Sequence, residues 1–163
     1  MNKTIDVILT KDSKIYNEFN NSKLSSELSN YILEQSKGIP LKSIIILNIN
    51  SYFYMEKEEK QKLVNEIREN YGLDIKENLI KLKYEVIKQV IMLLIGLILS
   101  FISNLVSNNN YLISQFFYIF GWLMIYESIS GLIFSNIKTM YQNKKYKKLI
   151  NAKITFNELK KDN

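Results

Sequence analysis

The chain contains neither cysteine nor histidine. Those two absences exclude disulfides, thiolate nucleophiles, zinc sites built on sulfur or imidazole, and imidazole acid–base catalysis. Without a disulfide framework, nothing draws the chain toward an oxidising compartment. Glycine is scarce as well: the five, at 38, 72, 96, 121 and 131, are too scattered for a phosphate-cradling loop. Neither a Walker-type nor a dinucleotide fingerprint exists. Charge is missing from one long stretch. Between Gln89 and Ile137 the sole formal charge is Glu127, although 23% of the whole chain is charged.

That stretch holds two apolar segments. The first, "VIMLLIGLILSFISNLV" (Val90 to Val106), covers about 25 Å as a helix and can be extended by Gln89 and the stem of Lys88. The second, Leu112 to Phe134, is long enough to cross a bilayer with some tilt. Only "SNNNY" lies between them, so they are expected to form a tight antiparallel hairpin with spans at about 88–106 and 112–135. Lys76, Lys81, Lys83 and Lys88 precede the first span, and Lys138, Lys144, Lys145, Lys147 and Lys148 follow the second. The loop between has no basic residue, which predicts that both termini are cytosolic. The amino-terminal "MNKTIDVILTKDSK" has an apolar run too short for a signal peptide, in keeping with a cytosolic domain. Abundant Asn, Lys and Ile suggest an AT-rich bacterial genome, a reading of composition that carries no functional weight. The two spans and their flanking lysines make the expected location the bacterial cytoplasmic membrane, as a multi-pass protein.

The excess of positive charge, +6 over the chain, sits almost wholly in residues 136–163. Lys144, Lys145, Lys147 and Lys148 in "KKYKK" are expected to anchor the second span at lipid headgroups. So close to the bilayer, nucleic acid is not an expected partner.

Glu127 lies about 10 Å inside the cytosolic end of the second span, too deep to reach water easily. It is expected to face something other than lipid. Ser130 and Gly131 follow it at helical spacing, and the first span carries a stripe with Gly96 and Ser100. In an antiparallel hairpin these two are expected near the level of Gly131 and Glu127, where small faces let backbones approach and hydroxyls satisfy the carboxyl. Two roles stay open. Glu127 serves packing within a bundle, or several copies place it around a shared path for protons or cations.

Residues 1–80 alternate in character. "TIDVILT" reads as a strand, Ser25 as the cap of a helix with Glu27 in its first turn, and "KSIIILNI" as a buried strand. Gly38 and Pro40 break the chain between them. A further helix is expected from about Glu56 to Gly72, and a third from Asp74 and Glu77 running straight into the first span. After the second span a helix should continue to about Leu149. The alternation of Ile154 and Phe156 then predicts a strand that returns to the amino-terminal sheet. The fold class is therefore a small cytosolic domain, α/β or α+β (1–80), a two-helix antiparallel transmembrane hairpin (81–135), and a basic tail (136–163) that completes the domain.

Catalytic chemistry is hard to find. Glu56, Glu58 and Glu59 sit at a helix start, where carboxylates offset the macrodipole. Asp6 and Asp12 have no convergent partner, and the aromatic run "SYFYM" (Ser51 to Met55) suits core packing, with a ligand groove as the alternative. No enzyme activity, cofactor or metal is expected.

The segments "GWLMIYESI" (Gly121 to Ile129), Phe134, the basic tract, "KKLINAKITF" (Lys147 to Phe156) and "KLSSELSNYI" (Lys23 to Ile32) resemble a family of small two-span bacterial membrane proteins to which no activity is assigned. The resemblance implies architecture only. Three functions fit: a membrane-anchored interaction or sensing module with a self-associating hairpin, an oligomeric channel or membrane-permeabilising effector lined by Glu127, or a small subunit of a larger transport or defence assembly. The bilayer and either further copies or another membrane protein are the expected partners.

Overall fold

The computed structural model describes residues 2–159, with the backbone alone at 21 and 22. It divides into two compact units, residues 1–76 with 142–163, and Glu77–Tyr141.

In the first unit, strands β1 (Asn2–Leu9), β4 (Ile44–Ser51) and β5 (Lys153–Glu158) form a sheet in the order β1-β4-β5. Both pairings are parallel, with Ile5 opposite Leu47 and Leu47 opposite Ile154. The β-branched run of β4 makes it the central strand, and strand alternation sends the odd-numbered residues of β1 and β4 and the even-numbered residues of β5 to one face. Ile5, Val7, Leu9, Ile45, Leu47 and Ile49 are buried there, with Ile154 and Phe156 packed against them.

Helix α1 (Ser26–Lys37) starts where Ser25 accepts a hydrogen bond from the Leu28 N–H through its side-chain oxygen. It contributes Ile32 to the core. Helix α2 (Lys57–Val106) supplies Leu63, Ile67 and Tyr71, and helix α3 (Tyr111–Ile150) supplies Leu149. These helical residues pack in one cluster with the apolar face of the sheet, so the segments that carry them lie on the same side of it. Tyr71 is fully buried; its hydroxyl donates to the Ser29 carbonyl oxygen at 3.0 Å, and Asn70 Nδ2 donates to Ser29 Oγ at 2.8 Å. These bonds fasten α1 to α2.

The opposite face of the sheet carries a polar ladder. Asn48 Nδ2 donates to Asp6 Oδ1 at 2.8 Å and Thr155 Oγ1 to Asn48 Oδ1 at 2.6 Å, while Asn157 Nδ2 donates to Asn50 Oδ1 at 3.0 Å. A short antiparallel hairpin, β2 (Tyr16–Asn17) with β3 (Asn20–Leu24), is inserted between β1 and α1. The sequence pattern did not indicate it.

Gly72 does not end a helix. The chain expected as two helices, separated by Gly72 and restarted at Asp74 and Glu77, is continuous in α2, and no glycine takes a positive φ. An internal glycine costs about 1 kcal/mol relative to alanine. Ending and restarting the helix would forfeit several backbone bonds and require a second nucleation, which costs more. Among the acidic residues at its start, Glu59 Oε2 accepts from the Glu56 N–H at 3.0 Å, the reach-back of a capping box.

The second unit contains the apolar parts of α2 and α3, both long and apolar enough to cross a membrane. A short turn at 107–110 joins them, and they pack side by side in opposite directions. Ser103 Oγ donates to the Ser114 carbonyl oxygen at 2.8 Å and Ser114 Oγ to the Ser103 carbonyl oxygen at 2.9 Å. This reciprocal pair fixes the register beside the turn.

Candidate functional site

From that register the close approach of the two helices can be followed residue by residue. A Cβ added at Gly96 would lie 2.9 Å from the Gly121 carbonyl oxygen and 2.9 Å from Ile125 Cγ1. One added at Gly121 would lie 2.6 Å from Ser100 Oγ and 2.9 Å from the Gly96 carbonyl oxygen. Small residues at this crossing let two backbones meet. Further along, Gly131 seats the amide of Gln89, and Ser128 is fully buried.

The expected levels within the hairpin are therefore corrected. Gly96 and Ser100 lie opposite Gly121 and Ile125, and Gly131 lies opposite Gln89. The turn is so short that the Ser103 and Ser114 contact sets every later pairing, and it brings Gly96 to Gly121 rather than to Gly131. Glu127 is exposed, on a face of α3 that does not meet the α2 stripe. Ser130 beside it is half-buried. Ser100, the hydroxyl of α2 expected near the carboxyl, lies against Gly121 instead, and two serines of α3 return their hydroxyls to their own helix: Ser128 Oγ donates to the Met124 carbonyl oxygen at 2.7 Å and Ser135 Oγ to the Gly131 carbonyl oxygen at 2.6 Å.

Gln89 is the residue that the sequence pattern undervalued. Its Oε1 is buried without a hydrogen-bond partner, and its amide fills the space that a side chain at 131 would take. Its position next to the first apolar run was legible, but not its inward direction.

The lysine cluster divides in two. Lys145 Nζ donates to the Lys37 carbonyl oxygen at 3.0 Å, and Lys148 Nζ donates to the Pro40 carbonyl oxygen at 2.8 Å. Both carbonyls belong to the end of α1 and the loop after it, where orphan acceptors and the negative end of the macrodipole attract cations. Lys144 and Lys147 point outward and are exposed. Tyr146, between the two pairs, stacks on Tyr71 with ring centroids 5.9 Å apart. Burial holds the Tyr71 phenol well above the ordinary tyrosine range, with the nearby Asp74 and Tyr146 acting in the same direction.

On the strand-and-helix unit, a groove of about 340 Å³ runs between β1 and α1, with Ile8, Lys14, Glu27 and Tyr31 among its walls. Tyr31 closes part of the free edge of β1 by donating its hydroxyl to the Asp6 carbonyl oxygen at 3.1 Å. The aromatic run after β4 splits: Met55 is buried in the core, while Tyr52 and Tyr54 are exposed. Among the described residues, no three acidic side chains gather as metal ligands.

The chain matches no protein-family model, no curated protein and no solved structure. The arrangement itself offers two kinds of surface: an apolar hairpin bearing one exposed carboxyl, and a small folded unit with an open groove and an uncovered sheet face.

Proposed function

We propose that the chain is an integral, non-enzymatic membrane protein of the bacterial cytoplasmic membrane. In this reading α2 and α3 cross the bilayer as a hairpin, with residues 1–76 and 142–163 on the cytosolic side as an interaction or sensing module. The observation that carries it is how little of the apolar helix surface is covered. Only 17% of the most apolar stretch of α2 and 11% of that of α3 is buried, unlike the core helix of a water-soluble protein, which is mostly covered. Leu94, Ile98, Phe101, Leu105, Phe116 and Ile119 are all more than half exposed. Each such side chain left in water forgoes about 1.5–3 kcal/mol, so a bilayer is the solvent that fits this surface.

The orientation rests on the lysines that flank both spans and are absent from the turn. Lys144 and Lys147 are the headgroup anchors, and Lys145 and Lys148 hold the end of α1.

A second reading, an oligomeric channel, is favoured by the exposure of Glu127. Two helices enclose no pore alone, so that reading needs several hairpins around the carboxyl. A potential-sensitive dye separates the two when the protein is induced in bacteria. The anchored module leaves membrane potential unchanged at a level where the chain resists extraction by alkaline carbonate. Depolarisation that disappears in Glu127→Gln at matched membrane levels would replace the module with the channel.

A further inference from the structure

The part of α3 that faces away from α2 carries two polar side chains without partners. Glu127 is exposed and makes no hydrogen bond or ion pair among the described residues. Ser130 follows it by three residues. The neighbouring serines 128 and 135 return their hydroxyls to carbonyl oxygens of their own helix, at 2.7 and 2.6 Å, whereas the Ser130 hydroxyl makes no bond among the described residues. Phe120, Leu123 and Phe134 continue the same seam at spacings of three and four residues, and they are 47%, 57% and 69% exposed.

A carboxyl group facing lipid is strongly disfavoured and in membrane proteins is almost always paired or turned to a protein interior. The single chain supplies no partner. We infer that this seam is the interface between two copies of the chain, with the Glu127 carboxyl of each copy accepting a hydrogen bond from the Ser130 hydroxyl of the other. The inference rests on the bilayer-crossing hairpin proposed above, and it names the hairpin's partner.

The reason for choosing a second copy is depth. Copies inserted in the same orientation are related by a two-fold axis along the bilayer normal, so each residue meets its counterpart at its own level. Glu127 and Ser130 lie about 4.5 Å apart along the helix, within one turn, so one acceptor and one donor per copy complete each other reciprocally. Aromatic and leucine side chains on either side of the pair exclude lipid from it. An unlike helix would have to bring its own donor to this depth. A second copy brings Ser130 within one helical turn of that depth by symmetry.

Because the chain has no cysteine, single-cysteine variants report without background. Leu123→Cys and Phe134→Cys place a thiol on the seam, and Trp122→Cys and Ile129→Cys place one on a different face of the same helix. After mild oxidation in native membranes, disulfide-linked dimers should form severalfold more at 123 and 134 than at 122 and 129. Adding Glu127→Leu with Ser130→Ala should reduce dimer formation at 123 severalfold, and Glu127→Gln, whose amide also accepts from a hydroxyl, should preserve it. Equal cross-linking at all four positions, or cross-linking at 123 that the double substitution leaves unchanged, overturns the interface. The same membranes carrying Asn109→Cys are labelled from outside with an impermeant maleimide. Labelling at 109 together with failure on the seam removes the dimer and leaves the hairpin standing. No labelling at 109 removes the hairpin, and the dimer with it.

Discussion

Gly121→Ala puts a methyl group where α2 and α3 meet most closely. The added Cβ would lie 2.6 Å from Ser100 Oγ, 2.9 Å from the Gly96 carbonyl oxygen and 3.0 Å from the Ser100 nitrogen. Two of those three atoms are backbone, so no side-chain rotation relieves the clash and the helices must separate. Separation also stretches the reciprocal bonds between Ser103 and Ser114, which stand at 2.8 and 2.9 Å. Overpacking of this kind costs about 1–3 kcal/mol. The better helix propensity of alanine returns at most about 1 kcal/mol. Setting the middle of that range, about 2 kcal/mol, against the full propensity gain leaves a net loss of about 1 kcal/mol in hairpin stability. Gly131→Ala is the internal control. Its Cβ would meet Gln89 Nε2 at 2.5 Å, but that amide is the far end of a flexible side chain and can swing aside. Its cost should stay below about 0.5 kcal/mol after the propensity gain. The assay is reversible unfolding in mixed micelles at rising dodecyl sulfate fraction, followed by circular dichroism. Equal stability of Gly121→Ala and the unsubstituted chain, or an equal loss in both variants, would refute the packing argument.

Two further expectations concern the strand-and-helix unit. The Tyr71 phenol is held protonated in the folded state above its ordinary value of 10.0, so its contribution to stability is fully present below about pH 10 and declines as pH rises beyond it. Tyr71→Phe should lose about 1 kcal/mol at neutral pH, from the hydroxyl bond to Ser29, and should flatten the alkaline decline; a denaturation series from pH 7 to about pH 11 reads both. Replacing Lys145 and Lys148 with Met should free the Lys37 and Pro40 carbonyls, cost about 1 kcal/mol each, and speed amide exchange at the end of α1. Lys144→Gln with Lys147→Gln should leave that exchange unchanged and weaken association with anionic vesicles instead.

Much of the local structure is written in short-range signals. Ser25 caps α1 because a hydroxyl three residues before an amide can reach it, and the run in β4 is strand because β-branched residues fit a pleated surface. The alternation of Ile154 and Phe156 corresponds to β5, which pairs with β4. Signals failed where the deciding contact was remote or cooperative. Gly72 looks like a helix stop because glycine punctuates locally, while the backbone bonds on both sides that carry α2 through it are not visible at that position. The β2–β3 hairpin has no apolar alternation: β2 is two residues long, and Asn20 to Lys23 of β3 are all polar. Lys145 and Lys148 read as surface charge because the carbonyls they bind are 108 residues away. Within the apolar hairpin, composition disclosed the small-residue stripe, but the facing pairs depended on the Ser103 and Ser114 contact. That contact, and not the count of small residues, separates Glu127 from Gly96 and Ser100.

The central claim is that α2 and α3 cross the bilayer and return. Its most direct measurement is cysteine accessibility in intact cells, with Asn109→Cys in the turn and Asn157→Cys in β5. An impermeant maleimide applied outside should label position 109 and reach position 157 only after the cells are opened. Labelling of position 157 in intact cells, or protection of position 109 until the cells are opened, would contradict the account.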